Sequence, residues 1–106
     1  PNAAVPPELV AIIQAMGVAA VAITEKTGVV IATRNTEMAL EIERDDDVMD
    51  DLHRKLIAVL IEPTWKHGIE TAIDLTLLGR YYERYADHAV SISRRVYFLV
   101  TGEYAS

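Results

Sequence analysis

Two short breaks divide the chain between Pro7 and Gly102, and their positions constrain the fold more than any other feature. Residues 34–36, Arg-Asn-Thr, are typical of a turn in which an Asn or Thr side chain caps the next helix, with Glu37 in its first turn. Pro63 marks the second break, because the residue before a proline is pushed out of the helical region. The three remaining segments are far longer than ordinary strands.

The first segment begins at Pro6-Pro7-Glu8, where proline and an acid favour a helix start. The β-branched residues 27–31 also fit a short strand, but no second strand is available to pair with it. We therefore expect the helix to continue to about Thr33. Its predicted core face consists of Val10, Ile13, Gly17, Ala20 and Thr24.

The second helix is predicted from residue 35 or 36 to just before Pro63, and the third from near Thr64 to about Val100, with Gly102 as its C-cap. Gly79, inside the third helix, costs up to about 1 kcal/mol relative to Ala, which predicts close packing there. The expected fold is an all-α antiparallel three-helix bundle forming one domain over residues 1–106. The predicted core stripes are Met38, Ile42, Met49, Leu52, Leu56, Val59 and Leu60 on helix two and Ala72, Leu75, Leu78, Tyr82, Tyr85, Ala86, Ala89, Val96 and Val100 on helix three.

Composition restricts the function. The net charge of −6 argues against a nucleic-acid partner, whose binders show a basic footprint, and suits cations or a basic protein surface. The absence of cysteine excludes disulfides, thiolate metal ligands and a cysteine nucleophile, which agrees with a cytoplasmic location. The longest uncharged run, Leu9 to Thr24, is shorter than the roughly 20 residues of a membrane span, so we expect a buried helix and no membrane insertion.

The hydrophobic fraction of 51% exceeds what a small lone bundle needs, which predicts an interface with a partner. The chain also begins at Pro1 without an initiator Met, and we expect it to be the C-terminal piece of a longer protein.

Two acidic pairs are the candidate functional residues. Glu83 and Asp87 lie one helical turn apart on helix three, and Asp46 and Asp50 have the same spacing on helix two. Residues four apart share a helix face. Each pair lies beside an apolar stripe, so packing of the two helices can bring the pairs together. Oxygen-only ligands of this kind favour a hard divalent metal.

Other interpretations remain open. The carboxylates of Glu83 and Asp87 can pair instead with arginines at helical spacing, and the acidic run 45–51 can be a solvated surface. Asp50 and His53 have the i, i+3 relation of a di-iron helix, but such bundles need matching motifs on two helices. A dinuclear carboxylate enzyme and a metal-free helical interaction module are therefore the alternatives. We expect hydrogen-bonding or surface roles for His53 and His88, a corner position for His67 and Trp65, and packing roles for Tyr81, Tyr82 and Tyr85.

Residues 82–89, Tyr-Glu-Arg-Tyr-Ala-Asp-His-Ala, are followed by an apolar stretch that ends in Thr101-Gly102. This arrangement resembles the "ER-x-x-DH-A" run of the PhoU family of phosphate-transport regulators. The acidic run at residues 45–52 resembles the one in the middle helix of each PhoU repeat. The likeness extends from about Pro7 to Glu103.

The resemblance implies that the chain is one three-helix repeat, the second and C-terminal of two. It also implies a regulator of phosphate uptake and phosphate-starvation signalling, not an enzyme. Its partners would be the phosphate ABC transporter and a sensor histidine kinase, placing it in the cytoplasm and peripherally at the inner membrane. Because the other repeat is missing, we expect a homodimer or pairing with a second repeat.

The resemblance further implies that iron, zinc or another divalent metal binds at Glu83 and Asp87, and more loosely at Asp46 and Asp50. Two positions depart from the family pattern. Ser91 stands where the family often has Asn, and a positive charge at Arg94 or Arg95 replaces an acid. A cation there opposes a metal nearby.

Overall fold

The computed structural model describes residues 7–102, which form three long helices packed side by side as an antiparallel bundle. Helix α1 spans Pro7–Thr33, α2 spans Thr36–Leu60 and α3 spans Ile69–Thr101. The molecule is elongated, at 51 × 23 × 16 Å, and every helix contacts the other two. No strand occurs in this range. The predicted all-α three-helix bundle is confirmed, while Pro6 and Glu103 lie outside the described residues.

The α1–α2 turn forms as the sequence predicts. Arg34 adopts a left-handed conformation with φ 58°, and its amide donates to the Val30 carbonyl at 2.8 Å. Asn35 is the N-cap, since its side-chain oxygen accepts a hydrogen bond from the Met38 amide at 3.0 Å. A turn this short makes α1 and α2 neighbouring antiparallel helices.

The predicted start of the third helix near Thr64 is wrong, because α3 begins at Ile69. The intervening residues form a corner in which the Trp65 indole N–H donates to the Gly68 carbonyl at 2.9 Å. Gly68 has φ 85°, which is incompatible with a helix and favourable for glycine. Trp65 also packs edge-on against His67, with ring centroids 4.9 Å apart. The expected corner position of both rings is confirmed, as is the C-cap at Gly102.

The core face of α1 differs from the predicted one by a rotation of about one residue. Ala20 is the only predicted core residue that is buried; Val10 and Thr24 are exposed. Because α1 is apolar around most of its circumference, periodicity alone does not select one face. The observed face repeats every seven residues, as in a coiled-coil seam, and consists of Leu9, Met16, Ile23 and Val30, with Ala20 and Thr27 between them.

Helices α2 and α3 pack closely at Gly79, as predicted. A Cβ atom at this position would lie 2.5 Å from Leu56 Cδ2 and 3.0 Å from His53 Cδ2. The predicted stripes also hold for most members, with Ile42 and Leu56 fully buried. Two residues depart from their predicted core positions. Tyr85 is 40% exposed at the boundary between α1 and α3, and Val100, in the last turn of α3, is 44% exposed.

The solvent side of α1 is also apolar. Within residues 7–102, the segment Leu9–Thr33 of α1 is the one stretch long and apolar enough to cross a membrane, by length and composition. A row of buried residues lies along its inner side, but most of the helix is not buried within residues 7–102, and the absence of membrane insertion stays a prediction. Its exposed valines form what we call the α1 outer surface: Val10, Val18, Val21 and Val29.

Candidate metal site and its surrounding charges

The four predicted acids lie along the seam between α2 and α3, and we call them the acidic groove: Asp46, Asp50, Glu83 and Asp87. Burial raises the pKa of Asp46 to about 6, and the charges of Asp50 and Asp87 add to this rise. Burial also raises the pKa of Asp50, assisted by the charges of Glu83 and Asp87. The acids of one helix therefore repel those of the other, as expected if packing brings the two pairs together.

One carboxylate oxygen in the groove has no compensation. Asp46 Oδ1 is buried and accepts no hydrogen bond within residues 7–102. Asp45 Oδ2 is also buried without a regular hydrogen bond, but it lies 2.9 Å from Lys26 Nζ, so an ion pair neutralises it. That pair, more than any other cause, raises the pKa of Lys26. Because a buried unsatisfied oxygen is costly, Asp46 is the residue most in need of a proton or a cation.

Glu83 faces a histidine. His53 Nδ1 lies 3.5 Å from Glu83 Oε2, and both side chains are half-buried. The separation is long for a hydrogen bond, so the contact becomes a true ion pair only when the imidazole is protonated. The His53 ring packs against Gly79, which lets the two helices approach. His88, by contrast, is exposed on the far side of α3, in agreement with its predicted surface role.

The arginines at helical spacing from Glu83 and Asp87 do not form the ion pairs with them that the sequence analysis left open. Among the described residues, neither Glu83 nor Asp87 forms an ion pair with Arg80, Arg84 or Arg94. Arg94 donates instead to Glu43 Oε1 at 3.1 Å, which raises the pKa of Arg94.

Sequence reasoning missed Glu43 as the partner of Arg94, although its position three residues before Asp46 places it on the same edge of α2. Arg94 also borders the groove near Asp46 and Asp87 and slightly offsets the rise of the Asp46 pKa. The positive charge of Arg94 therefore partly offsets the negative charge at the Asp46–Asp87 end of the groove.

The groove offers suitable donor atoms but not a complete set of ligands. Unpaired carboxylates and one unsatisfied buried oxygen fit a hard divalent cation. Within residues 7–102, no group of three or more His, Asp or Glu side chains is placed to hold a metal ion. The acids act as coupled pairs, and further ligands would have to be water or groups from another chain. Metal binding at Asp46, Asp50, Glu83 and Asp87 stays a prediction.

Comparison with known families agrees with this architecture. A model of the PhoU domain matches residues 13–96, which include both acidic pairs and the α2–α3 corner. The match covers most of the described chain. No solved structure matches the chain significantly.

Named relatives are similar over most of this sequence. The phosphate-specific transport system accessory protein PhoU homolog 2 of Mycobacterium tuberculosis is 45% identical over 104 residues, or 98% of this chain and 49% of that protein. PhoU homolog 1 of Mycobacterium leprae is 53% identical over 75 residues, or 71% of this chain and 34% of its own length. PhoU homolog 1 of Methanothermobacter thermautotrophicus is 36% identical over 72 residues, covering 66% and 33% respectively.

The chain spans about half the length of the curated relatives it matches. This ratio agrees with one three-helix repeat of a longer family architecture, while its assignment to the second repeat stays a prediction. The relatives are named as accessory proteins of a transport system, in agreement with the expectation of a non-enzymatic protein. On the three-helix fold, the family match and these identities, the chain belongs to the PhoU family.

Proposed function

We propose that this chain is a regulatory unit of a phosphate-specific transport system and that it acts by docking on protein partners. The observation that supports the proposal most directly is the 45% identity over 98% of the chain to a phosphate-specific transport system accessory protein. The family resemblance carried by residues 82–89 and 45–52 further suggests that the partners are the phosphate ABC transporter and a sensor histidine kinase. Such a protein works in the cytoplasm, at the membrane surface where the transporter lies.

The test is genetic complementation. A strain that lacks its PhoU-family gene and carries a phosphate-starvation reporter would express this chain in phosphate-rich medium. We expect the reporter to be repressed towards its wild-type level. A soluble, stably accumulated chain that leaves the reporter fully active would refute the proposal. Repression requires no catalytic activity of this chain, since the proposed mechanism is binding.

We further propose that the acidic groove binds a divalent metal, with iron or zinc as the candidates that the family suggests. Pairs of the acids Asp46, Asp50, Glu83 and Asp87 would hold it, with water or groups from another chain completing its ligands. Its charge would stabilise the ionised carboxylates of Asp46 and Asp50, whose pKa values are raised first by burial and then by repulsion between the acids. The bound ion would fix the α2–α3 seam and shape the docking surface. The two ends of the groove differ, because the Asp46 end holds the unsatisfied carboxylate oxygen but is bordered by Arg94, whereas Arg94 does not border the Asp50–Glu83 end.

Metal content provides the test. We expect purified wild-type protein to retain iron or zinc in elemental analysis and to gain thermal stability when Zn²⁺ is added after chelation. Both effects should disappear in Glu83→Gln/Asp87→Asn. The matched control, Glu70→Gln/Asp74→Asn, removes two exposed acids from the same helix and should behave like wild type. Metal-free wild-type protein with no Zn²⁺ response would remove the metal from the mechanism and leave the docking function unaffected.

Finally, we propose that the α1 outer surface is covered by a second copy of this chain. Val18 is 71% exposed and Val21 is 59% exposed, although α1 is one of the most apolar segments. Large exposed apolar patches usually mark interfaces. The relatives are about twice as long as this chain, so a second three-helix unit of the same kind matches their size.

Sedimentation velocity tests this association. The wild-type chain should sediment as a dimer at a protein concentration on the order of tens of micromolar, at which a weak interface still forms. Val18→Glu/Val21→Glu should sediment as a monomer, because two charges would be buried in the interface. The control Val48→Glu/Ala58→Glu places the same charges at exposed positions of α2 and should remain dimeric. A monomeric wild-type chain would contradict the proposal.

A further inference from the structure

The side of α3 that faces away from α2 carries two adjacent columns of side chains. Arg80, Arg84 and His88 follow one another at intervals of one helical turn, and Tyr81 and Tyr85 form the neighbouring column. All five side chains are exposed, Tyr81 to 61%. They line an open depression of about 770 Å³ together with Leu77 and Asp87. We call these five residues the arginine–tyrosine surface.

The two arginines of this surface form no direct ion pair among the described residues, although Asp87 borders the same depression. Within residues 7–102, neither Arg80 nor Arg84 forms an ion pair or a hydrogen bond with another side chain. Like charges four residues apart on a helix repel each other. In a chain with a net charge of −6, two neighbouring arginines without acidic partners are available to an acidic group from outside.

The rings of the aromatic column contact neighbouring side chains of α1 and α3. The hydroxyl groups of Tyr85 and Thr24 are hydrogen-bonded at 2.7 Å, which ties α3 to α1. Tyr81 contacts Tyr85 with ring centroids 6.2 Å apart and meets Tyr82 edge-on at 5.7 Å. Tyrosine side chains have only two rotatable χ angles, so they lose little conformational entropy on binding. The surface therefore combines unpaired arginines with tyrosines, the composition that dominates binding energy in protein interfaces.

We infer that the arginine–tyrosine surface docks an acidic helical segment of a partner protein. Carboxylates one helical turn apart on the partner match the spacing of Arg80 and Arg84, and arginine binds carboxylates through paired donors. Apolar residues beside those carboxylates pack on Tyr81 and Leu77, which is 62% exposed. The inference rests on the proposed docking function and identifies the chemistry of the segment that binds.

Polyanionic partners fit less well. Nucleic acids and anionic membranes present extended negative charge, and binding them requires a broad basic surface. Here the basic column is narrow, and Asp87 borders the same depression. A short acidic helix can contact the arginines and tyrosines while avoiding that carboxylate.

The experiment measures binding of a fluorescein-labelled helical peptide to the full chain by anisotropy in low salt. The peptide carries Glu at positions i, i+4 and i+8 with Leu beside each, and its twin carries Gln instead of Glu. We expect the Glu peptide to bind the wild-type chain and Arg80→Ala/Arg84→Ala to weaken binding by about tenfold or more. Tyr81→Ala should also weaken it. The control Arg44→Ala/Arg95→Ala has the same net charge as the arginine double variant and should bind like wild type.

Several results would overturn the inference. These are no binding of the Glu peptide, equal binding of the Gln twin, or an equal loss in the control variant. A further contrary result is that single-stranded RNA or phosphatidylglycerol vesicles bind more tightly than the Glu peptide and lose binding to the same extent in Arg80→Ala/Arg84→Ala. That result would assign the surface to another ligand. Conversion of a dimer into a monomer by Arg80→Ala/Arg84→Ala would assign it to self-association.

The reporter strain separates this inference from the proposed function. If the wild-type chain represses the reporter and Arg80→Ala/Arg84→Ala does not, the proposed function and the inference about the arginine–tyrosine surface both hold. If both chains repress equally, the docking surface lies elsewhere and only the inference fails. If wild-type chain does not repress while the peptide binds as expected, the phosphate-regulatory role fails and the acidic-segment binding stands.

Discussion

Helix α3 carries two charged surfaces that adjoin at Asp87, and they differ in what lies across from them. The acidic groove faces α2, so its carboxylates meet other carboxylates in a partly buried seam. The arginine–tyrosine surface faces solvent, so its charges are hydrated and meet nothing in the described chain. Both hold like charges that repel one another, but in the groove that repulsion acts between partly buried side chains of two helices, whereas on the arginine–tyrosine surface it acts between exposed side chains of one helix. Repulsion between packed helices costs stability, whereas exposed charge mainly governs association.

The largest expected effect comes from forcing the two helices apart. Gly79→Val would place a β-branched side chain against Leu56 and His53, where even a single Cβ is too close. We expect the free energy of unfolding to fall by about 1–3 kcal/mol in urea titrations. The Glu83–His53 contact should be lost as well.

The control for that change is Gly28→Ala, because an added Cβ at Gly28 meets nothing within 4 Å. This substitution should stabilise the exposed part of α1 by about 0.4–1 kcal/mol. If Gly79→Val were as stable as wild type, α2 and α3 would not be in close contact at the groove.

The next effect is a pH dependence that belongs to the groove alone. The pKa of Asp46 rises from 3.8 to about 6 on folding, so the folded state holds the proton more tightly than the unfolded state. Its contribution to stability is therefore greatest below pH 4 and is lost as the pH rises through 6. Asp50 acts in the same direction.

Unfolding of chelator-treated protein between pH 4 and pH 7 measures this dependence. Asp46→Asn mimics the protonated acid, so it should match wild type near pH 4 and exceed its stability at pH 7 by about 1 kcal/mol, allowing for solvent screening. The control Asp74→Asn removes an exposed acid of α3 and should keep the wild-type pH profile. Identical profiles for Asp46→Asn and wild type would show that burial and the neighbouring acids do not raise the pKa of Asp46 on folding.

A smaller effect is expected where the arginine–tyrosine surface is anchored to α1. Tyr85→Phe removes the hydrogen bond to Thr24 but keeps the ring. We expect a loss of about 0.5–1 kcal/mol in the free energy of unfolding. Thr24→Val should cost a similar amount, and the double variant should cost less than the sum, because the two residues share one bond. Strict additivity would show that the hydroxyl groups do not interact.

The smallest expected effect on stability is that of removing the two arginines, and it tests most directly whether the arginine–tyrosine surface differs from the acidic groove. Arg80→Ala/Arg84→Ala should change the free energy of unfolding by no more than about 0.5 kcal/mol, because both side chains are exposed and unpaired in the described chain. Thermal or urea unfolding checks this directly. A large loss of stability would mean that the arginines support the fold, and their effect on peptide binding would then have a structural explanation.

Much of the fold was predictable because its signals are local. A capping side chain at Asn35, a proline at residue 63 and a glycine at residue 102 act through neighbouring backbone groups. The start of α3 was not predictable in the same way. It depends on the hydrogen bond between Trp65 and Gly68 and on the backbone of Gly68, and the residue types between 63 and 68 do not dictate that arrangement.

The candidate site was predictable in part. Spacing of four residues places Glu83 with Asp87 and Asp46 with Asp50 in any helix. Which basic side chain each acid contacts depends on distances between helices, and spacing along one helix does not determine those distances. Arg94 could reach several acids by sequence, yet it pairs with Glu43, and Glu83 faces His53.

The sequence by itself therefore determined where the helices begin and end, with one exception, and which acids share a helix edge. These properties follow from contacts within one turn of backbone. Only the tertiary structure decided which side of the mostly apolar α1 is buried, which carboxylates repel across the α2–α3 seam, and which arginines remain without acidic partners among the described residues. Each of those depends on side chains from different helices being brought within a few ångströms by packing.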